Sequence, residues 1–358
     1  MGQGRAHAER SLRGKSGGVA GEGPVQVTPI RQGLVSLVVA SYNHAGFLVR
    51  RMDSLIAQTY PDTEILVIDD CSPDNSVEVL RGYETQPKVK LVVREKNGGW
   101  VAVSNQGVDL SSGEFVLFAN CDDDCDPSMV ARLVDAMRRH PSAGIAFCRS
   151  LMVDEEDRVL GDDFAIREAA FKKRCARDTL LTGAEASRFL LHSCVIPNLS
   201  AALIRRECFA EVGFLSQDYR VCCDWDLFFR IAARYDIAYV AEPLNRFRQH
   251  RKTIRSVTKD KVVYEEYFRL LLGQIGRLDL SPMERARFRT HVMYLWAVHL
   301  SSPSLNGIFN LPYHFGRVLS LDPLALVFVI PGGVLRAGEL AVKVFNKLIF
   351  SLKRRASQ

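Results

Sequence analysis

The sequence predicts an α/β fold, a mostly parallel sheet with helices on both faces, and three observations carry that reading. Short, nearly continuous apolar runs alternate with segments whose apolar residues recur at helical spacing. Strands of that kind keep no face for water, so helices must cover both sides of the sheet. Polar residues cluster where the runs end, and in open sheets of this type ligands bind beyond the carboxyl ends of the strands.

The first strand is VSLVVAS (35 to 41), followed by a helix with Leu48, Met52, Leu55 and Ile56 on one face. The second is EILVIDD (64 to 70), with Ser72 and Pro73 as cap and first residue of a helix that carries Val77 and Leu80. VKLVV (89 to 93), a helix from about Gly99 to Leu110, and EFVLFAN (114 to 120) continue the alternation. A helix opened by Asp126 and Pro127 presents Met129, Val130, Leu133, Val134 and Met137, and AGIAFCR (143 to 149) is the next strand. From 155 to 195 the pattern loosens into a variable loop with a short helix. Order returns with IPNLSAALIRRECF, VCCDWDLFFRIAARY and IAYVAEPLNRFRQH between 196 and 250, and residues 265 to 300 are helical in character.

At 358 residues, 47% hydrophobic and 25% charged, the chain has the balance of an ordinary globular protein. Residues 1 to 33 show no hydrophobic period and read as a disordered basic leader. The net charge of +6 lies in the ends, +3 in residues 1 to 33 and +5 in residues 336 to 358, which leaves about −2 for the rest. A nucleic-acid partner would need that charge on a folded face, so none is expected. Nine cysteines without paired CxxC spacing, behind no secretory signal, fit a reducing cytoplasm and argue against a zinc site.

Three polar groups converge on one rim: Ser41, Tyr42 and Asn43 after the first strand, Asp69 and Asp70 after the second, and Asn120 to Asp124 after the fourth. Each alone would read as a turn or cap. Together with VVASYNHAGFL (38 to 48), VIDDCSPDNS (67 to 76), NGGWVAVSNQG (97 to 107), GEFVLFANCDDDCDP (113 to 127), DWDLFFR (224 to 230) and RFRQH (246 to 250), they resemble the inverting glycosyltransferases of family 2. The resemblance covers roughly residues 34 to 250. It implies a GT-A fold over 34 to 255, followed by a helical extension from 256 to 358.

Transfer from a nucleotide sugar needs positive charge on the departing diphosphate and a base on the incoming hydroxyl. The family pattern ends the fourth strand with DxDD, three residues and a proline, and Pro127 sets the register here. Asp122 then takes the position that contacts Mg²⁺ or Mn²⁺, oxygen-liganded ions that suit a carboxylate beside phosphate. Asn120 stands where an Asp is usual, and Asn120 and Asp123 are assigned to the donor side, with Asp124 and Asp126 as turn or cap residues. The resemblance further implies donor contacts at Ser41, Tyr42, Asn43, Asp70, Asn97, Gly99 and Asn105, with Asp70 on the nucleotide base and Gly107 allowing close approach of the donor. Ser104 replaces an Arg the family often carries. His250, with Arg246 and Arg248, falls where the family has a basic loop that closes over the diphosphate.

Asp224 matches the catalytic base in CDWDL, with Asp226 as a supporting carboxylate. Asn198, Ser200 and Trp225 are expected to face the acceptor or support the site. The partners implied are a nucleotide-diphosphate sugar donor and a saccharide or lipid-linked acceptor. Two other readings stay open: a nucleotidyltransferase, which would want a basic Gly-rich loop that SYNHAGF lacks, and a glycan- or nucleotide-binding scaffold, suggested by Asn120 and Ser104.

LALVFVI (324 to 330) is broken by Pro331, Gly332 and Gly333, well short of the roughly 20 residues a bilayer crossing needs. Beyond it Leu340, Val344, Phe345, Leu348, Ile349 and Leu352 recur at near-helical spacing among Lys343, Lys347, Lys353, Arg354 and Arg355. That segment reads equally as a helix lying on an anionic membrane surface, peripheral to the inner face of the cell membrane, or as a core helix with a basic end.

Overall fold

The computed structural model describes residues 29–251, 253–300, 316 and 318–336. In chain order the elements are β1 (Arg31–Ser41), α1 (Ala45–Ile56), β2 (Thr63–Asp69), α2 (Ser76–Arg81), β3 (Val89–Val93), α3 (Trp100–Leu110), β4 (Gly113–Phe118), β5 (Asp124–Cys125) and α4 (Met129–Arg139). There follow β6 (Ala143–Val153), β7 (Val159–Asp162), α5 (Ala169–Arg174), β8 (Thr179–Leu181), α6 (Gly183–His192), β9 (Ala202–Arg205), α7 (Glu207–Val212), α8 (Cys223–Ala232), β10 (Asp236–Arg248), α9 (Ile254–Val257), α10 (Asp260–Arg277) and α11 (Pro282–Leu300).

The strands form one sheet in the order β3-β2-β1-β4-β9-β6-β10-β5, with β7 on β6 and β8 on β10. β3, β2, β1 and β4 are parallel, β6 and β10 are parallel, and β9 runs antiparallel between β4 and β6. The sheet is thus the mostly parallel one expected. Strand periodicity places alternate residues on opposite faces, and β1 sends Val38 into one apolar cluster while Leu37 and Val39 enter the other. Helices α1 and α4 cover the second face with Leu48, Met52, Leu133 and Met137.

Several local expectations need correction. β1 begins at Arg31, three residues ahead of Leu34, and α2 begins at Ser76, because Asp74 accepts from the Ser76 N–H at 3.1 Å and its hydroxyl at 2.6 Å. The stretch 155 to 195 holds β7, α5, β8 and α6. Helix α6 opens on a capping box in which Thr182 and Glu185 satisfy each other's backbone amides. Gly107 serves packing and not donor approach: a Cβ there would lie 2.1 Å from Val38 Cγ1, so its absence lets α3 lie on β1.

Helices α10 and α11 add Phe268, Leu271, Ile275, Val292, Met293 and Trp296 to the cluster that contains Leu190, Leu191, Trp225 and Phe228. The extension therefore shares a core with the sheet's first-face helices. Among the described residues no helix is long and apolar enough to cross a membrane. The basic amphipathic segment expected over 340 to 352 lies outside the described residues, as does residues 1 to 28 of the leader.

Candidate active site

The acidic turn after β4 is built on buried charge. Arg248, the last residue of β10, has no exposed side-chain surface. Its Nη2 donates to Asp124 Oδ2 at 2.8 Å and meets Asp157 at 2.7 Å, its Nε donates to the Asp122 carbonyl at 2.9 Å, and its backbone N–H reaches Asp123 Oδ1 at 2.9 Å. Asp124 also pairs β5 with β10, opposite Arg246. Arg248 thus secures the turn from within and does not reach out over a ligand. Arg51 of α1, equally buried, adds positive charge that opposes the upward push of burial on Asp123 and Asp124. Asp126 accepts from Ser128 N and Oγ at 2.8 and 2.6 Å, a turn role as expected.

Asp123 faces inward. Its Oδ2 accepts from Asn198 Nδ2 at 2.8 Å and Asn120 Nδ2 at 3.3 Å, and Asn120 N–H donates to Ser200 Oγ at 3.0 Å. Burial and the charge of Asp122 push its carboxyl up. Asn120, Asn198 and Ser200 therefore hold the turn, which leaves Asp122 as the carboxylate that faces out.

Asp122 meets two imidazoles. His250 Nε2 lies 2.9 Å from Asp122 Oδ2, and the ligand atoms of His44, Asp122 and His250 all lie within 4.8 Å of one another. His44 Nδ1 is 2.6 Å from the Tyr42 carbonyl, so that nitrogen carries the proton and donates. Its Nε2 keeps a lone pair, is buried and has no hydrogen-bond partner among the described residues. An imidazole oriented by a backbone carbonyl with its other nitrogen open is the arrangement of a metal ligand. The three groups fit a divalent ion. Burial alone would raise the Asp122 carboxyl, but the His250 hydrogen bond and the His44 and His250 imidazoles hold it below the usual carboxylate range. Phe47 packs on the His250 ring at 4.9 Å and under Arg248 at 5.7 Å, joining the cation site to the turn's anchor.

The neighbouring strand ends are stitched together. Ser41 Oγ and Ser72 Oγ donate to Asp69 Oδ2 at 3.0 and 2.6 Å, and Asn43 N–H, on a residue with φ 56°, donates to Ser72 Oγ at 3.0 Å. Asp69 is a turn acceptor. Asp70 accepts from Arg94 Nη1 at 2.6 Å, Gly98 N at 2.9 Å and Gly99 N at 2.8 Å, while Asn97 Nδ2 donates to its carbonyl at 3.3 Å. Gly99, at φ 86°, allows the loop to curl back on Asp70. Tyr42 stays 43% exposed at this edge.

Asp224 lies in the first turn of α8, and its Oδ1 accepts from the Trp225 N–H at 2.7 Å. Burial pushes its carboxyl up to about 6, with Arg255 opposing. Two contacts tie it to the other groups. Trp100 Nε1, next to the glycine loop, donates to the Arg220 carbonyl at 3.3 Å, and Ser256 Oγ beside Arg255 donates to the His250 carbonyl at 3.2 Å.

Some expected site residues have other duties. Asn105 exchanges two hydrogen bonds with the Leu215 backbone, at 2.9 and 3.0 Å, so both ends of its amide are used away from any donor. Trp225 is 7% exposed and donates to the Leu190 carbonyl at 3.2 Å, which makes it support and not an acceptor platform. Asp226 accepts from Arg230 Nε at 2.8 Å, and Arg230 Nη2 donates to the Phe214 carbonyl at 2.8 Å. Sequence reasoning missed His44, although a histidine directly after the strand-end SYN, on the rim shared by Asp122, was the available signal.

The glycosyl transferase family 2 model matches residues 36–213, a span that runs from within β1 to the end of α7 and includes the acidic turn. This chain belongs to that family. The glycosyltransferase is 32% identical over 221 residues to the uncharacterized protein y4gI of Sinorhizobium fredii, a match that covers 60% of this chain and 22% of that one. It is 29% identical over 187 residues to the glycosyltransferase GlyG of Streptococcus pneumoniae, covering 51% of this chain and 60% of GlyG. The matches thus span less than two thirds of either relative. In fold it is similar to residues 1–349 of S. aureus TarS in a complex with UDP-GlcNAc, with a TM-score of 0.63, 17% identity, and coverage of 83% and 84% of the two chains. The GT-A fold follows from this likeness, and the glycosyltransferase class from the family match.

Replacement of Arg248 by Met should destabilise the fold by about 3–5 kcal/mol, because it leaves the buried Asp124 without its 2.8 Å partner and the Asp122 and Asp154 carbonyls without their donor, while Asp157 keeps Arg50. Urea unfolding checks this; a loss below about 1 kcal/mol would show that the turn does not depend on the ion pairs.

Proposed function

We propose that this enzyme inverts configuration while it moves a sugar from a nucleoside-diphosphate donor to a hydroxyl of a saccharide or lipid-linked acceptor, in cell-surface polysaccharide or glycolipid synthesis. The observation that supports the reading is a histidine–aspartate–histidine donor set at the strand ends, beside which Asp224 in the first turn of α8 is a carboxylate whose proton is lost near pH 6. His44, Asp122 and His250 would hold a divalent ion, which when bound supplies positive charge to the diphosphate. Asp70, with Asn97 and Gly99, shapes the loop that receives the nucleotide, and Ser41, Asn43 and exposed Tyr42 form its other wall. Asp224 takes the proton from the acceptor hydroxyl as that oxygen bonds to the anomeric carbon and the bond to the diphosphate breaks.

Two imidazoles beside one carboxylate favour Mn²⁺ over Mg²⁺, which prefers an all-oxygen octahedral shell. All nine cysteines are free thiols, in keeping with work in a reducing cytoplasm. Leu324, Val327 and Ile330 are 59%, 70% and 78% exposed just ahead of the +5 carboxyl-terminal stretch, and this pairing of apolar surface with basic charge supports docking on the anionic inner face of a membrane.

Three measurements test these statements. With a panel of UDP- and GDP-sugars and Mn²⁺, Asp224→Asn should lower kcat by about 10²–10⁴-fold. The wild-type rate should rise with pH through about 6, as Asp224 becomes the ionised base, and the variant should lack that limb; wild-type turnover by the variant refutes the assignment. Calorimetric titration should show Mn²⁺ bound more tightly than Mg²⁺, and His44→Ala should weaken Mn²⁺ at least about tenfold. Unaltered Mn²⁺ affinity would remove His44 from the ligand set. Vesicles of phosphatidylglycerol should bind the protein and neutral vesicles should not, with binding reduced by Val327→Asp and Ile330→Asp together; equal binding to both lipids defeats the docking reading.

A further inference from the structure

The geometry points to Glu266, on the helical extension, as a positioning residue for Asp224. This inference rests on the reading of Asp224 as the base. The Asp224 carboxylate accepts from the N–H of Trp225, the next residue in its own helix turn. Among the described residues no side chain of another element fixes it through a hydrogen bond, so its place is that of the first turn of α8.

That turn is held from outside. Glu266 is 7% exposed, and its Oε1 accepts from the Arg220 N–H at 2.8 Å. Its Oε2 accepts from Val221 N–H at 2.8 Å and Cys222 N–H at 3.0 Å. Cys222 is the N-cap of α8 and supplies no side-chain cap of its own. Three successive amides at the mouth of the helix are thus satisfied by one carboxylate delivered from α10, more than 40 residues further along.

The surrounding contacts hold the same loop. Arg220 Nε donates to Thr258 Oγ1 at 3.1 Å, and the Tyr267 ring meets Trp225 edge-on at 5.5 Å. The Arg220 carbonyl accepts from Trp100 at the glycine loop. A shift of residues 220–222 would therefore carry Asp224 with it, while Asp122 and Asp70 keep anchors of their own in Arg248 and Arg94. Only a carboxylate can accept from all three amides without presenting a donor to them. Glutamine keeps the shape, but turns an NH₂ group toward N–H groups.

The experiment uses the full chain with Mn²⁺ and the donor turned over fastest from the UDP- and GDP-sugar panel. Glu266→Gln should lower kcat by about 10–100-fold with donor KM and the donor-induced thermal shift unchanged. In the Asp224→Asn background the same substitution should cause no further loss, since it acts through the base. A wild-type kcat, or an equal loss in the Asp224→Asn background, overturns the positioning role. Wild-type turnover by Asp224→Asn alone is a separate outcome that removes the base assignment instead. Should Glu266→Gln fail to fold, Thr258→Val loosens the same loop: a several-fold fall in kcat at constant donor KM is expected, and an unchanged kcat overturns the proposal.

Discussion

The site depends on the placement of Arg248 beneath a turn of three consecutive aspartates. Asp122, Asp123 and Asp124 repel one another at the end of a strand, in a place where desolvation strengthens every unpaired charge. A fully buried guanidinium ends that conflict by bonding to the second and third of them through side chain or backbone and to the carbonyl of the first. Arg51 adds a second buried cation from α1. With two acids committed inward, one is presented outward. The turn therefore reduces an acidic cluster to a single outward carboxylate.

The outward acid gains its chemistry from chain segments that lie far apart in sequence. His44 comes from the end of β1, Asp122 from the end of β4 and His250 from just past β10, and they meet because β10 crosses back beside β5 to close the rim. Phe47 bridges His250 and Arg248, so the His44–Asp122–His250 group packs directly against the buried anchor. Asp224 is less rigidly fixed. It rides on a helix whose entry is clamped by the extension, and the loop at that entry also touches the glycine loop. On the proposed reading of Asp224 as the base, the extension belongs to the catalytic architecture; it shares the core of the sheet's helices and holds the entry to α8.

Residue types alone did not separate ligand-facing groups from scaffold. Asn105 and Gly107 sit on α3 where a donor contact looks natural, yet the amide binds the Leu215 backbone and the glycine admits Val38. Trp225 sits between two candidate acids and points into the core. Arg248 has the basic character of a phosphate contact and is fully enclosed. In each case a polar or permissive residue had two possible partners, solvent-borne ligand or backbone, and only three-dimensional neighbours choose between them.

The sequence by itself determined the alternating strands and helices, the rim on which polar residues collect, and the family, because hydrophobic period and strand-end motifs are local properties that a linear chain displays. It also singled out Asp122 from its neighbours through the register set by Pro127. Tertiary structure alone decided that β9 runs antiparallel in the middle of the sheet, that His44 joins Asp122 and His250, and that Glu266 caps the helix of Asp224. Those are contacts between residues separated by tens to hundreds of positions. Nothing in local spacing encodes them, since they arise only when the sheet has closed and buried charges must find partners.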